Sequence, residues 1–388
     1  MTDERRGATD QLTVSIVAGP AAAALLRQLD PEIGVLASST VLEANAQRPR
    51  YELAPNSNPE QVLDKIRTVA EQKEIEHLII CCEPERPPMA YASLFVAHNH
   101  HLVRLVQLTT TAFAIDASAL LDLILGRTPK ADGACFMAEQ IEFVDHIFLG
   151  ASTPEDTDLA HSVARALNPN AHVSALTETS VRDWQSTRSG TFDFEAALNN
   201  AGWRRLIDHE QSPGKEGDRM TTLSYRARRP FHPERFWRFL QHDLQGVFRA
   251  KGFFWLASRM DEVGGLNLAG AELHCASAGN WWAARDHQIR ESEMPERTRR
   301  QWQEPFGDRR QEFAVMALGV THGMIQSGLD ACLLTDAEMS EGPASWQEIA
   351  DPFPSWTSHH AHEHSHVHGD ECDHHHHHDS DEHECCHH

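Results

Sequence analysis

The densest chemistry in this chain lies in its last thirty residues. His359, His360, His362, His364, His366, His368, Cys372, His374, His375, His376, His377, His378, His383, Cys385, Cys386, His387 and His388 put fourteen imidazoles and three thiols into that stretch. Imidazole nitrogen and thiolate sulfur are the donors that Zn²⁺ and its borderline-soft neighbours prefer. Eight Asp or Glu residues accompany them, and there is no Lys or Arg. A short tract of this composition reads as metal-binding. Val367 is its one large apolar residue, so the tract has too little surface to bury and is expected to be a flexible arm that orders around metal.

The unbroken run from His374 to His378 resembles a purification tag. It is internal, however, and surrounded by acids and cysteines, which favours a metal site. The carboxylates draw cations and favour protonated imidazole, so protons compete with metal for the same nitrogens. Binding should weaken as pH falls through about 6.5. Zn²⁺ is the expected ion, with Ni²⁺, Co²⁺ and Cu²⁺ as competitors, because nothing in the tract fixes one geometry.

The rest of the chain must carry this arm. Its 388 residues suffice for two domains, and its net charge of −23 would still be −15 without the eight acids of the tract. Such a balance excludes nucleic acid as the main partner, because phosphate binding needs a basic footprint. No apolar run approaches the length of a membrane span, and MTDERRGATD has no secretory h-region, so a cytoplasmic protein is expected. Cys81, Cys82, Cys135, Cys275 and Cys332 are too scattered for a disulfide framework.

Residues 1–11 read as a disordered start. Residues 12–207 alternate apolar runs with amphipathic stretches, which predicts an α/β fold with a doubly wound parallel sheet. Strands are expected at 12–18, 76–82, within 102–118 and at 142–150, and helices at 59–72 and 156–169. Asn58 and Pro59 start the first of these helices. Residues 208–220 read as a linker. Residues 221–334 read as a smaller α+β domain. Its predicted elements are a strand at 221–229, a helix from Pro233 closed by Gly252, a strand at 253–259, a pair within 271–284, a strand at 309–319 and a helix at 322–334. Residues 335–358 read as an extended strap, and 359–388 as the metal-binding tail. Seven of the nine Trp fall between Trp237 and Trp356 and are read as packing surface.

Other candidates are weaker. Cys81 and Cys82 end an apolar strand and are read as structural. His232 precedes the Pro233 helix, which suggests a cap before a ligand. His274 and Cys275 are strand neighbours pointing to opposite faces, poor co-ligands for one ion. Glu139, Glu142 and Asp145 near His146 read as a solvated helix end. Arg226, Arg228, Arg229, Arg235 and Arg238 form the one dense basic patch, a solvated surface or a dock for an acidic protein. No catalytic constellation is present.

Longer stretches carry a resemblance. SYRARRPFHPERFW (224–237), KGFFWLASR (251–259), GNWWAA (279–284), EPFGDRRQEFAVMALG (304–319) and DACLLTDAEM (330–339) closely resemble the C-terminal domain of the CobW-like family. EQIEFVDHIFL (139–149), LNPNAHV (167–173) and GTFDFEAALNNAGW (190–203) are similar to its N-terminal half, so the likeness spans about residues 12–334. The family comprises P-loop GTPases implicated in zinc and cobalt homeostasis, which implies a P-loop NTPase-like first domain.

This chain departs from the family pattern. Strand LTVSIVAG runs into PAAAALLRQLD, where GxxxxGK[ST] would cradle phosphates and hold Mg²⁺. Leu149 to Thr153 stand where NKxD would read guanine, CCEPERPP (81–88) replaces the second switch, and no Cys-x-Cys-Cys follows Tyr51. The resemblance therefore implies a degenerate member that has lost its sites for GTP and Mg²⁺. The function expected is zinc binding in metal homeostasis, as chaperone or buffer, with a metal-recipient or paralogous protein docking on the C-terminal domain. Two alternatives stay open: a metal-regulated GTPase with an unorthodox loop, and a scaffold whose tail stores metal.

Overall fold

The computed structural model describes residues 11–38, 49–54, 56–96, 102–127, 132–186, 191–208 and 220–356. The first domain is built on seven strands: β1 (Leu12–Ala18), β2 (Gly34–Ala37), β3 (Arg50–Glu52), β4 (His77–Cys81), β5 (Val106–Asp116), β6 (His146–Gly150) and β7 (His172–Ala175). They pair in the order β3-β2-β4-β1-β5-β6-β7, every pair parallel. β1, β4 and β6 are buried along nearly their whole length, as strands covered on both faces must be. The predicted doubly wound sheet is thus present. The helix Pro59–Gln72 has the predicted bounds, and Asn58 and Gln61 close a reciprocal capping box at its start. The strand expected at 142–150 begins only at His146, because Glu142 and Phe143 end the Ala134–Phe143 helix.

The second domain is a five-stranded antiparallel sheet in the order β11-β10-β9-β12-β8. Its strands are β8 (Met220–Ala227), β9 (Val247–Phe254), β10 (Glu262–Ala269), β11 (Glu272–Asn280) and β12 (Gln311–Leu318). Three expectations fail here, the first being the pair within 271–284, which is the single strand β11 followed by a short helical turn at Trp282–Ala284. The helix from Pro233 stops at His242 instead of running on to Gly252, and the following strand starts at Val247, not at 253. Gly246, at φ +81°, makes the turn between them. Gly252 is a mid-strand close approach, not a helix stop: a Cβ there would lie 2.5 Å from Phe313 Cα on β12. The strand β10 was not expected as an element of its own.

The strap at 335–358 also differs from its extended prediction, since it contains the helices Asp336–Glu341 and Pro343–Trp346. Thr335 and Glu338 cap the first reciprocally, and the Trp346 ring is buried beside Trp255 and Phe306. Two arginines of the basic patch hold this segment. Arg229 pairs with Asp336 at 2.5 Å, and Arg235 grips both carboxylate oxygens of Glu338 at 2.7 and 2.8 Å. Arg226 meets Glu312 and the carbonyl of Ile207. Among the described residues no helix is long and apolar enough to cross a membrane.

The two domains meet along one face of the Ala134–Phe143 helix. Cys135, Glu139 and Glu142 recur at helical spacing and face β9, β10 and β11. The expectation that Glu139 and Glu142 belong to a solvated helix end therefore fails for Glu142, which is buried against Arg249 at 2.6 Å. Glu139 holds Lys251 at 2.6 Å and Asn267 at 3.2 Å. The tip of the β10–β11 hairpin reaches into the first domain at Gly270, where φ is +57° and a Cβ would lie 2.1 Å from Leu123 O. A Gly270→Val change should therefore destabilise the chain by about 1–3 kcal/mol, from left-handed strain and lost docking. Thermal unfolding checks this, and an unchanged midpoint would mean the tip does not bear on the first domain.

Candidate metal centre

At this junction three unlike donors converge. Cys135 Sγ, a carboxylate oxygen of Glu272 and a ring nitrogen of His274 all lie within 4.8 Å of one another. Cys135 sits in the first turn of the Ala134–Phe143 helix, one residue past Ala134, and Gly133 is the N-cap at φ +92°. Glu272 opens β11 and His274 stands two residues on, so both project from the same face of the strand. Glu272 Oε2 accepts from the Cys135 N–H at 2.9 Å, which caps the helix from the other domain. Glu272 Oε1 lies 2.6 Å from His274 Nε2. The thiol is aimed at the carbonyl oxygens of Asn267 and Glu272, each 3.7 Å away.

Burial pushes the Cys135 thiol up to about 12, against the pull of Arg249. Burial alone would raise the Glu272 carboxyl, but the N–H groups of Cys135 and Gly133, with His274, hold it below the usual carboxylate range. The other described thiols of the body fall in no such group of donors. Burial raises Cys81, Cys275 and Cys332 to about 12, and the β-strand end at Cys81 and Cys82 is structural packing, as expected.

All seventeen predicted tail ligands, from His359 to His388, lie outside the described residues, as does the linker from 209 to 219. His232 occupies the predicted N-cap, yet its side chain makes no capping bond. His274 and Cys275 do point apart, as expected, but His274 meets a different cysteine 139 positions earlier in the chain. The readable half of that signal was Glu272-x-His274, two potential ligands at strand spacing. Cys135 could not be assigned to them without the topology.

The turn after β1 is short and filled. Gly19, at φ +98°, packs so tightly that a Cβ would lie 2.3 Å from Ala114 O on β5. The Ala21 N–H donates to that same carbonyl at 3.0 Å, and the Ala22 N–H to Gly19 O at 3.0 Å. The helix that follows, Ala22–Arg27, has only six residues, with Leu25 and Leu26 buried. The backbone donors of Ala21 and Ala22 are thus already bonded, and no Lys, Ser or Thr occurs from Gly19 to Arg27.

Fold and junction thus define a two-domain protein, a parallel α/β body packed on an antiparallel sheet, with a Cys, a Glu and a His brought together at the seam. Residues 220–333 match the cobalamin synthesis protein cobW C-terminal domain. It is similar to the zinc-regulated GTPase metalloprotein activator 1 of Dictyostelium discoideum, 27% identical over 318 residues that cover 76% of this chain and 67% of that protein. A zinc chaperone of Mycobacterium tuberculosis is 32% identical over 274 residues, 66% of this chain and 64% of that one, so the chain spans about two thirds of these relatives' length. The Zn(II)-bound YjiA GTPase from E. coli superposes over 84% of this chain and 99% of its own, with 13% identity and a TM-score of 0.34.

Proposed function

We propose that this protein handles zinc as a chaperone or buffer, holding the ion on the histidines and cysteines of residues 359–388, and does so without hydrolysing GTP. The observation that carries the reading is the concentration of fourteen His and three Cys in thirty residues. The names of the relatives, a zinc-regulated metalloprotein activator and a zinc chaperone, agree with it. The filled turn at Gly19 and the missing Lys, Ser and Thr support the absence of GTP and Mg²⁺, since phosphoryl transfer depends on positioned phosphate and metal ligands. A recipient or paralogous protein would dock on the C-terminal domain and take the ion by ligand exchange.

Metal analysis of the intact chain beside one lacking residues 357–388 tests the proposal. The truncated chain should lose most of its bound zinc; equal metal content in both would refute it. Bound zinc should also fall as pH drops through about 6.5, because protonated imidazole cannot ligate. The name of the Dictyostelium relative, a zinc-regulated GTPase metalloprotein activator, favours a second reading, in which nucleotide still binds and metal regulates it. A fluorescent GTP titration with Mg²⁺, with and without Zn²⁺, decides between them: no saturable binding is expected, and micromolar affinity with turnover would establish the second reading.

A further inference from the structure

We infer that Cys135, Glu272 and His274 form a second zinc site, in the folded body, whose ion ties the Ala134–Phe143 helix of the first domain to strand β11 of the second. The inference stands apart from the tail: it would hold for a chain with residues 359–388 removed, and it fails or survives independently of them.

The donor set suits the ion. One thiolate, one carboxylate and one imidazole are the three ligand types Zn²⁺ takes, and three protein ligands leave a fourth position for water or an incoming group. Together the two anions and the neutral imidazole cancel the charge of a divalent cation, which a half-buried seam requires. Donors around tetrahedral zinc stand about 3.3–3.8 Å apart, as bond lengths near 2.0–2.3 Å dictate. The distances from Cys135 Sγ, within 4.8 Å, need a contraction of about 1.5 Å at most to reach that geometry, and the 2.6 Å pair of Glu272 and His274 must open by about 0.7 Å. His274 can supply the movement, because its side chain is 59% exposed and its 2.6 Å contact with Glu272 would be exchanged for the metal bond.

The supporting groups are in place as well. The Cys135 N–H fixes one carboxylate oxygen of Glu272 and leaves the other turned towards His274, which is how outer-shell partners orient a ligating carboxylate. Cys135 lies in the first turn of a ten-residue helix, and binding of the ion would displace the proton that burial otherwise keeps on its sulfur. Helix capping alone accounts for Glu272, and burial alone for Cys135. Neither accounts for an imidazole placed on the same face of β11, two residues on and within reach of both. An ion at the seam would add a bond between domains to the Glu142–Arg249 and Glu139–Lys251 contacts, so its occupancy would stiffen their docking.

Cobalt spectroscopy tests the site, because Co²⁺ bound to a thiolate absorbs in the near ultraviolet by sulfur-to-metal charge transfer and Co²⁺ bound to imidazole alone does not. The full-length chain with Cys372→Ser, Cys385→Ser and Cys386→Ser removes the tail thiols while keeping its histidines. Titrated with excess Co²⁺, it should keep one equivalent of the charge-transfer band. Adding Cys135→Ser should abolish the band, and His274→Ala, at an exposed position that the fold tolerates, should weaken the affinity read from it at least tenfold. Zn²⁺ should raise the melting temperature of the chain with intact Cys135 and His274 and leave that of the His274→Ala variant unmoved. A band that survives Cys135→Ser, the absence of any band in the parent, or an undiminished zinc shift in His274→Ala would each overturn the inference. None of these results depends on how much metal the tail holds.

Discussion

An Arg249→Met chain should lose about 3–5 kcal/mol of stability, the largest effect expected of any single substitution in the body. Arg249 is fully buried and donates to Glu142 Oε1 at 2.6 Å, Glu142 Oε2 at 3.1 Å, Asn267 Oδ1 at 2.7 Å and the Leu268 carbonyl at 2.9 Å. Burial opposes its charge, but Glu142, Cys135 and Glu139 together offset burial and hold its pKa above the ordinary value. Methionine fills a similar volume without the charge, so packing is nearly kept while Glu142 stays in the seam with only Trp203 Nε1, 3.2 Å away, to donate to it. An unpartnered buried carboxylate costs several kcal/mol, whereas removing both members of such a pair costs far less. Arg249→Met with Glu142→Gln should therefore recover more than half of the loss. Urea unfolding of the two single variants, the double variant and the parent reads the coupling directly. A double variant as unstable as Arg249→Met alone would show that the pair is not what the substitution breaks.

How much of this seam was legible in the sequence differs by link. The parallel sheet was readable because β1, β4 and β6 are continuous apolar runs of strand length, and the Pro59–Gln72 helix because Asn58, Pro59 and the apolar spacing of Val62, Ile66 and Val69 agree. The boundary at Gly246 was misread because helix and strand compete over PERFWRFLQHDLQGVFRAKG. Both need apolar residues there, and only the left-handed glycine marks the change. Glu142 looked solvated because its partner lies 107 residues away on β9, a separation that no local pattern reports. The same distance problem hid Cys135 from Glu272 and His274. The tail needed no partner at all to be read, since its chemistry is in its composition. The empty phosphate motif was readable as missing residues, while the reason the turn closes so tightly, Gly19 against Ala114, needed the neighbouring strand.

A second large effect is expected at His146, and it is visible only against pH. This side chain is buried at the start of β6, stacked on Phe148 with centroids 4.2 Å apart, beside His172 at 4.7 Å, with Nε2 2.8 Å from Ser174 Oγ. Burial, with His172 adding to it, lowers its pKa from 6.5 to about 3. A depressed pKa of this kind means that the fold holds the neutral ring: its stability contribution is complete above pH 6.5 and is lost as pH falls towards 3. Its neighbour in sequence works the other way. Burial raises Asp145 from 3.8 to about 6 despite hydrogen bonds from Thr111 and Thr110, so its contribution is complete below pH 3.8 and is lost as pH rises through 6. Between about pH 4 and 6 the two slopes, each about 1.4 kcal/mol per pH unit, oppose each other and nearly cancel in the parent. His146→Phe keeps the ring stack and removes one of them. The variant should lose about 1 kcal/mol at pH 7 with the Ser174 hydrogen bond, then gain on the parent by about 3 kcal/mol as pH is lowered to about 4. Urea midpoints of both chains measured across that range give the difference. Parallel curves would mean that His146 is not held neutral by the fold, whereas a crossing near pH 6 shows that the fold holds the imidazole neutral and that acid acts against it there.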